Sequence, residues 1–369
     1  MRKLYRGHMY AIGASLLFSL SSPLSKILLD DVPPMTLSGY IYLSIIVVFN
    51  PIFFKNKEEG WTNLPQKEKN TGENPKNGIK ILVMVISGGI LAPIFLLYGL
   101  ENIEVFTASL FLNFELIFTV LLATVILKEK VTKMGIFGIL VVIFFLIANS
   151  IDYNFSKLDI IDFSSSILLI IGACFFWAID NNISGRIEGL SSQKITFIKG
   201  FFGGSFNLLL AFFLGKSLAV PLVKIPLILF IGIFSYGFSI NLFILGLRNI
   251  GVAKTSIIFS LNPFFSSILS VFIFENLISL LDWTTFGFVL LGVMLLLIDK
   301  HKHYHIHYSY IHEHEIIEDT HHKRDTIEIL DKGNQTGNNV IKHKHKKLKH
   351  KHGHTHGEHH QHNHSDEDS

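Results

Sequence analysis

Stretch after stretch of this chain runs apolar for the length a helix needs to cross a bilayer. About 20 residues cover the hydrocarbon core. Segments near 8–29, 35–54, 79–99, 103–127, 131–149, 164–187, 195–214, 225–247, 251–274 and 283–299 meet that length. Backbone amides in hydrocarbon must bond within their own segment, so the expected fold is all-α, a polytopic membrane protein with ten transmembrane helices. Composition agrees, with 49% hydrophobic and 17% charged residues, and nearly every third residue charged from Asp299 to Ser369. One or two water-soluble cores could not hide so much apolar surface. The first apolar segment is long enough to span and no small-residue cleavage site follows it, so it reads as a retained helix.

The formal net charge of +3 gives no basis for nucleic acid binding, and the single cysteine, Cys174, forms no disulfide within the chain and no thiolate metal site. Lys and Arg fix an orientation. With the N-terminus inside, the cytoplasmic segments hold sixteen of them, from Arg2 to Lys254, against Lys157, Lys216 and Lys224 outside. Both termini are then expected in the cytoplasm and the chain in the plasma membrane.

The sequence repeats itself. Gly99-Leu-Glu-Asn-Ile-Glu-Val105 recurs as Gly246-Leu-Arg-Asn-Ile-Gly-Val252, 147 residues on, and Gly13-Ala14 recurs as Gly172-Ala173. Each unit holds five expected spans, and an odd number makes the second enter from the opposite face. The expected organisation is therefore two inverted five-helix repeats, 1–149 and 150–299, followed by a tail at 300–369.

Polar side chains in hydrocarbon are costly, so those that occur should face an interior cavity. Glu115, with Asn113 beside it, falls near the middle of the fourth segment, and its repeat counterpart is Asn262, followed by Pro263. Asp180-Asn181-Asn182 in the sixth segment matches Ser21-Ser22-Pro23 in the first. A third group comprises Ser87, Gly88, Gly89 and Pro93 in the third segment, with Ser235, Tyr236, Gly237, Ser239 and Asn241 in the eighth. Glu115, Asn113, Asp180, Asn181, Asn182, Trp177, Ser22, Asn241 and Asn262 are the candidate substrate or coupling residues. A buried carboxyl that gains and loses a proton is what proton coupling needs. A carboxyl merely hydrogen-bonded to a neighbouring helix is the plainer reading of Glu115, and a local pair with Arg186 that of Asp180. Lys26 and Lys199 lie near segment ends, where snorkelling to the interface is expected. Gly200-Phe-Phe-Gly-Gly204 has the spacing of a helix packing seam, with a homodimer contact as the alternative.

The tail carries 18 of the 19 histidines, interspersed among other polar residues. Imidazoles at His350, His352, His354, His356, His359, His360, His362 and His364 suit Zn, Ni or Co. By composition the segment is expected to be disordered.

Leu112-Asn-Phe-Glu-Leu-Ile-Phe-Thr119 followed by Lys128-Glu129, then Phe176-Trp-Ala-Ile-Asp-Asn-Asn182, Ile198-Lys-Gly200, Leu261-Asn-Pro263 and Phe274-Glu275, resemble the EamA-type members of the drug/metabolite transporter superfamily over about 10–299. Glu115 stands where many members have the proline seen here as Pro263, and Ser38-Gly39-Tyr40 where an arginine is often found. The resemblance implies a secondary transporter of the plasma membrane, commonly an exporter of metabolites, amino acids or toxic compounds. The expectation is export of a small polar metabolite or amino-acid-like solute by alternating access, with no required cofactor and a tail that binds divalent metal. Divalent-metal transport, and a membrane-anchored metal buffer or sensor, are the alternatives. The chain has no phosphate-binding glycine loop, zinc-protease helix or nucleophile elbow, so it is not expected to be an enzyme.

Overall fold

The computed structural model describes residues 2–50, 76–127, 133–150, 165–187, 189–275, 278–298, 301–307, 311–315, 327–335, 338–345 and 348–354. Apolar helical stretches dominate them: α1 (Tyr5–Leu29), α2 (Pro34–Phe49), α3 (Asn77–Glu101), α4 (Val105–Val125), α5 (Lys133–Asn149), α6 (Ser165–Ser184), α7 (Ser192–Phe213), α8 (Leu222–Ile250), α9 (Val252–Phe274) and α10 (Leu280–Leu296). Among the described residues seven of these, α1, α3, α4, α6, α7, α8 and α9, are long and apolar enough to cross a membrane, while α2, α5 and α10 are shorter. Prolines bound α2. Pro34 opens it, and Asn50, held extended at ψ 128° ahead of Pro51, ends it.

Helices of the two halves pack chiefly on each other. Principal contacts join α2 to α7, α4 to α9, α5 to α10, α1 to α8 and α3 to α6. Small residues set the closest approaches. Gly200 and Gly204 meet the backbone of α2 at Tyr42 and Leu43, and Gly138 on α5 lies against the carbonyl of Gly292 on α10. The glycine pair on α7 is thus an internal seam, the packing outcome of its spacing. Large apolar side chains turned outward, such as Phe144, Phe213 and Phe272, are the lipid-facing surface such a bundle needs.

Several of these helices are interrupted at mid-depth. The α-helix stops at Phe18 and resumes at Ser21 in α1, stops at Phe111 and resumes at Phe114 in α4, and stops at Phe259 and resumes at Asn262 in α9. Segments Val85–Leu91 of α3, Lys199–Gly203 of α7 and Ile231–Phe238 of α8 are π-helical. Interruptions of this kind free backbone carbonyls, and side chains take them up. Pro263 cannot donate to the carbonyl of Phe259, which instead accepts Asn262 Nδ2 at 2.8 Å and Ser15 Oγ at 3.3 Å. Pro93 likewise leaves the carbonyl of Gly89, which accepts Asn207 Nδ2 at 3.3 Å. At the break in α4 the carbonyls of Phe111 and Leu112 lie 3.7 Å from the thiol of Cys174. The lone cysteine is a buried packing residue.

The described tail residues form a compact unit of their own. Five short strands occur there: β1 (His301–His307), β2 (Ile311–Glu315), β3 (Ile327–Gln335), β4 (Asn338–His345) and β5 (Leu348–His354). β1 pairs antiparallel with β5, and β2, β4 and β3 form a second antiparallel sheet in that order. Alternation in His301-Lys-His-Tyr-His-Ile-His307 has the period of a strand. His350, His352 and His354 lie on β5, while His356, His359, His360, His362 and His364 fall outside the described residues.

Candidate functional site

The interrupted helices converge on a cavity of about 30 Å³, roughly the room of two water molecules. α1, α2, α3, α4, α6, α7, α8 and α9 all contribute to its lining. Its chemistry divides into a charged wall and an aromatic wall.

Asp180 and Lys199 build the charged wall. Lys199 Nζ donates to Asp180 Oδ2 at 2.6 Å, with the two residues 3% and 5% exposed. Ser184 Oγ, one turn further along α6, donates to Asp180 Oδ1 at 2.7 Å. The expectation that Lys199 snorkels to the interface is corrected, and so is the local pairing of Asp180 with Arg186. Gly200, Gly203 and Gly204 draw α7 so close to α2 and α3 that the Lys199 stem is enclosed. A buried cation so enclosed requires an anion, and Asp180 is within reach. Gly88 makes the geometry feasible, because a Cβ there would fall on the Asp180 carboxylate. Tyr42 OH holds the carbonyl of Gly88 at 2.6 Å, fixing the π segment of α3 in that place.

Glu115 occupies the first turn of the second segment of α4 and is 8% exposed. Its Oε1 accepts Asn181 Nδ2 at 2.7 Å, and the same amide lies 3.4 Å from Thr119 Oγ1. Asn182 Nδ2 donates to the carbonyls of Thr119 and Ala178 at 3.2 and 2.9 Å. Asn181 and Asn182 therefore tie α6 to α4. Glu115 also borders a second, smaller void of about 10 Å³ with Ser256, Ser260 and Asn262 of α9. It stands between the two spaces.

The aromatic wall comprises Phe18, Tyr42, Trp177, Tyr236, Phe243 and Phe259. Phe18 lies edge-on to Trp177 at 5.4 Å and to Tyr236 at 5.5 Å, and Tyr42 is 5.3 Å from Tyr236. Such edge-to-face and tilted arrangements are the favoured geometries of aromatic clusters.

Of the candidate residues, Glu115, Asp180, Asn181 and Trp177 line the main cavity, and Asn262 lines the smaller one. The structure does not bring Asn113, Asn182, Ser22 or Asn241 into the main lining. Asn113 Nδ2 instead bonds the carbonyl of Leu110 at 2.9 Å, and Ser22 and Asn241 are buried within α1 and α8. Sequence reasoning missed Lys199, Tyr42, Ser184, Phe18, Phe243 and Phe259. Only Lys199 left a legible trace, since an unpartnered Asp180 in an apolar helix requires a cation. Lys26, at the opposite end of its helix, reaches the carbonyls of Leu100 and Glu101 at 2.6 and 3.0 Å, a helix-end contact in keeping with its expected position. Among the described residues no group of three His, Cys, Asp or Glu side chains could hold a metal ion.

A chain of this architecture has recognisable kin. An archaeal protein from Methanothermobacter thermautotrophicus (strain Delta H), described as an uncharacterized transporter, is 28% identical over 305 residues, covering 80% of this chain and 87% of its own. A solved crystal structure matches with a TM-score of 0.57 at 14% identity, over 78% of this chain and 95% of that one, a likeness of fold alone. The pattern of the EamA-like transporter family matches twice, at residues 5–151 and again at 164–298. The chain belongs to the EamA-like transporter family, as a multi-pass membrane protein.

Proposed function

We propose that the protein is a secondary active transporter that exports a small polar metabolite or amino-acid-like solute across the plasma membrane by alternating access. Ten spans in two inverted five-helix units, with both termini cytoplasmic, frame the mechanism. The exchange of partners between halves supports an inverted relation: a two-fold operation that turns α1 into α6 and α3 into α8 carries the α1–α8 contact onto α6–α3.

One observation carries the reading. Glu115, Asp180 and Lys199, contributed by both halves, border one cavity deep among apolar helices. Charged groups are retained at such depth where a polar path needs them. Glu115 is the coupling residue, exchanging a proton as the cavity changes access, and Asn181 steadies it. In proteoliposomes, Glu115→Gln is expected to abolish pH-driven solute flux while leaving the folded protein intact by gel filtration. Unaltered coupling in that variant would remove Glu115 from the mechanism.

The histidine spacing of the tail supports a separate role, collection of Zn, Ni or Co at His350 to His364. Deleting residues 301–369 is expected to lower cell-associated metal without altering solute flux. Loss of metal transport through the helices would favour the divalent-metal alternative instead.

A further inference from the structure

The cavity's charges do not cancel. Lys199 is matched to Asp180 at 2.6 Å, and Ser184 occupies that carboxylate's other oxygen. Glu115 faces the same space with only the neutral Asn181 amide as its partner among the lining residues. One negative charge is therefore left over, in a space also lined by aromatic rings, whose faces attract cations. In a low-dielectric interior that surplus must be neutralised by a proton or by a bound cation.

We infer that the site takes a monovalent organic cation, an alkylammonium head group lodged between Glu115 and the Phe18, Trp177 and Tyr236 rings, in competition with a proton on Glu115. This rests on the transport reading above and names the class of its solute. The size of the space agrees, since room for about two water molecules accommodates an ammonium carrying a single methyl group. A divalent ion does not match the charge, because the second carboxylate is already committed to Lys199. The ring faces that share the lining with its oxygen groups favour an organic ammonium over a hard alkali cation.

The proton competes at Glu115 within a defined set of neighbours. α6 presents Asp180 and Cys174, α7 presents Lys199, α2 presents Tyr42 and α8 presents Tyr236. α9 offers only the neutral Ser256, Ser260 and Asn262.

The test uses the purified full chain in detergent, with thermal stabilisation as the readout. The probes are methylammonium, dimethylammonium, tetramethylammonium and choline, with the uncharged choline isostere 3,3-dimethylbutan-1-ol, NaCl at equal ionic strength, and ZnCl2. At pH 8 at least one ammonium is expected to raise the unfolding midpoint saturably, while the isostere and Na⁺ do not. Its affinity should fall up to tenfold per pH unit as acidification protonates Glu115. Glu115→Gln should weaken it at least tenfold, and Phe18→Leu severalfold. Should Glu115→Gln not fold, Phe18→Leu and the wild-type pH profile decide the matter. Equal binding of the isostere, no ammonium effect at any pH, or a Glu115-dependent response to Zn²⁺ alone would each overturn the inference. Ammonium binding without flux in proteoliposomes would instead sink the transport reading and leave this site standing.

Discussion

The two halves of the molecule follow one path and carry different chemistry. α3 and α8 both turn π-helical at corresponding places, Val85–Leu91 and Ile231–Phe238, and α4 and α9 both break at mid-depth. At those shared positions the side chains differ. Glu115 in the first half answers to Asn262 in the second, and Gly88 answers to Ser235. The remaining helices diverge further, since α1 breaks where α6 runs unbroken, and α7 turns π-helical at Lys199 where α2 stays regular. Backbone irregularity is thus largely common property of the repeat, while charge is private to each half. A duplicated scaffold can keep a symmetric hinge pattern and still hold a lopsided cavity.

Substitutions that exchange or erase the private residues test that contrast. The largest effect is expected at the ion pair. Lys199→Met leaves Asp180 buried without its cation and should cost about 3–5 kcal/mol, with much of it recovered in the Asp180→Asn/Lys199→Met double variant. Unfolding midpoints in detergent measure both, and a double variant no better than the single would show that the pair is not a unit. Next comes a trade between halves. Gly88→Ser, which installs the residue found at its counterpart, drives a side chain into Asp180 and should cost roughly 1–3 kcal/mol. The reverse change, Ser235→Gly, removes a hydroxyl with no hydrogen-bond partner among the described residues and is expected to cost about 1 kcal/mol or less, chiefly in backbone entropy.

A comparable contrast holds between the links that precede α4 and α9. Gly251 sits at φ 83°, ψ 169°, a conformation nearly reserved for glycine, so Gly251→Ala should cost about 1–3 kcal/mol. Its counterpart Glu104 is extended at φ −68°, and Glu104→Ala should stay within about 0.5 kcal/mol. A modest effect is expected at Asn207, which bonds Ser38 Oγ at 2.7 Å as well as the carbonyl of Gly89. Asn207→Ala should cost about 1 kcal/mol, in the range of polar contacts between membrane helices. A greater loss there than at Lys199 would reverse the ranking of hinge support against charge pairing.

Much of this was legible from residues alone. Hydrophobic length located the apolar helices. Cost of burial singled out Glu115, Asp180 and Asn181, and all three border the cavity. Lys199 escaped because depth was judged from its distance to a helix end. What buries it is lateral, the glycines that let α7 press on α2 and α3, and a linear pattern does not convey that closeness. Phe18, Phe243 and Phe259 escaped for a different reason. In a chain with 33 phenylalanines, nothing local separates a ring facing lipid from one facing a cavity. Asn113 and Asn182 lie outside the main lining, where their amides donate to the carbonyl of Leu110 and to those of Ala178 and Thr119.

The link between α8 and α9 is a single residue, Gly251, whereas three residues, Asn102 to Glu104, join α3 to α4. Consecutive Cα atoms stand only about 3.8 Å apart, so one residue leaves almost no slack. Any displacement of α8 hauls the base of α9 along with it, and the pair behaves as one crank. The corresponding arms in the first half are joined by a longer tether, so the coupling between neighbouring helices is tighter on the side facing Glu115 than on its own.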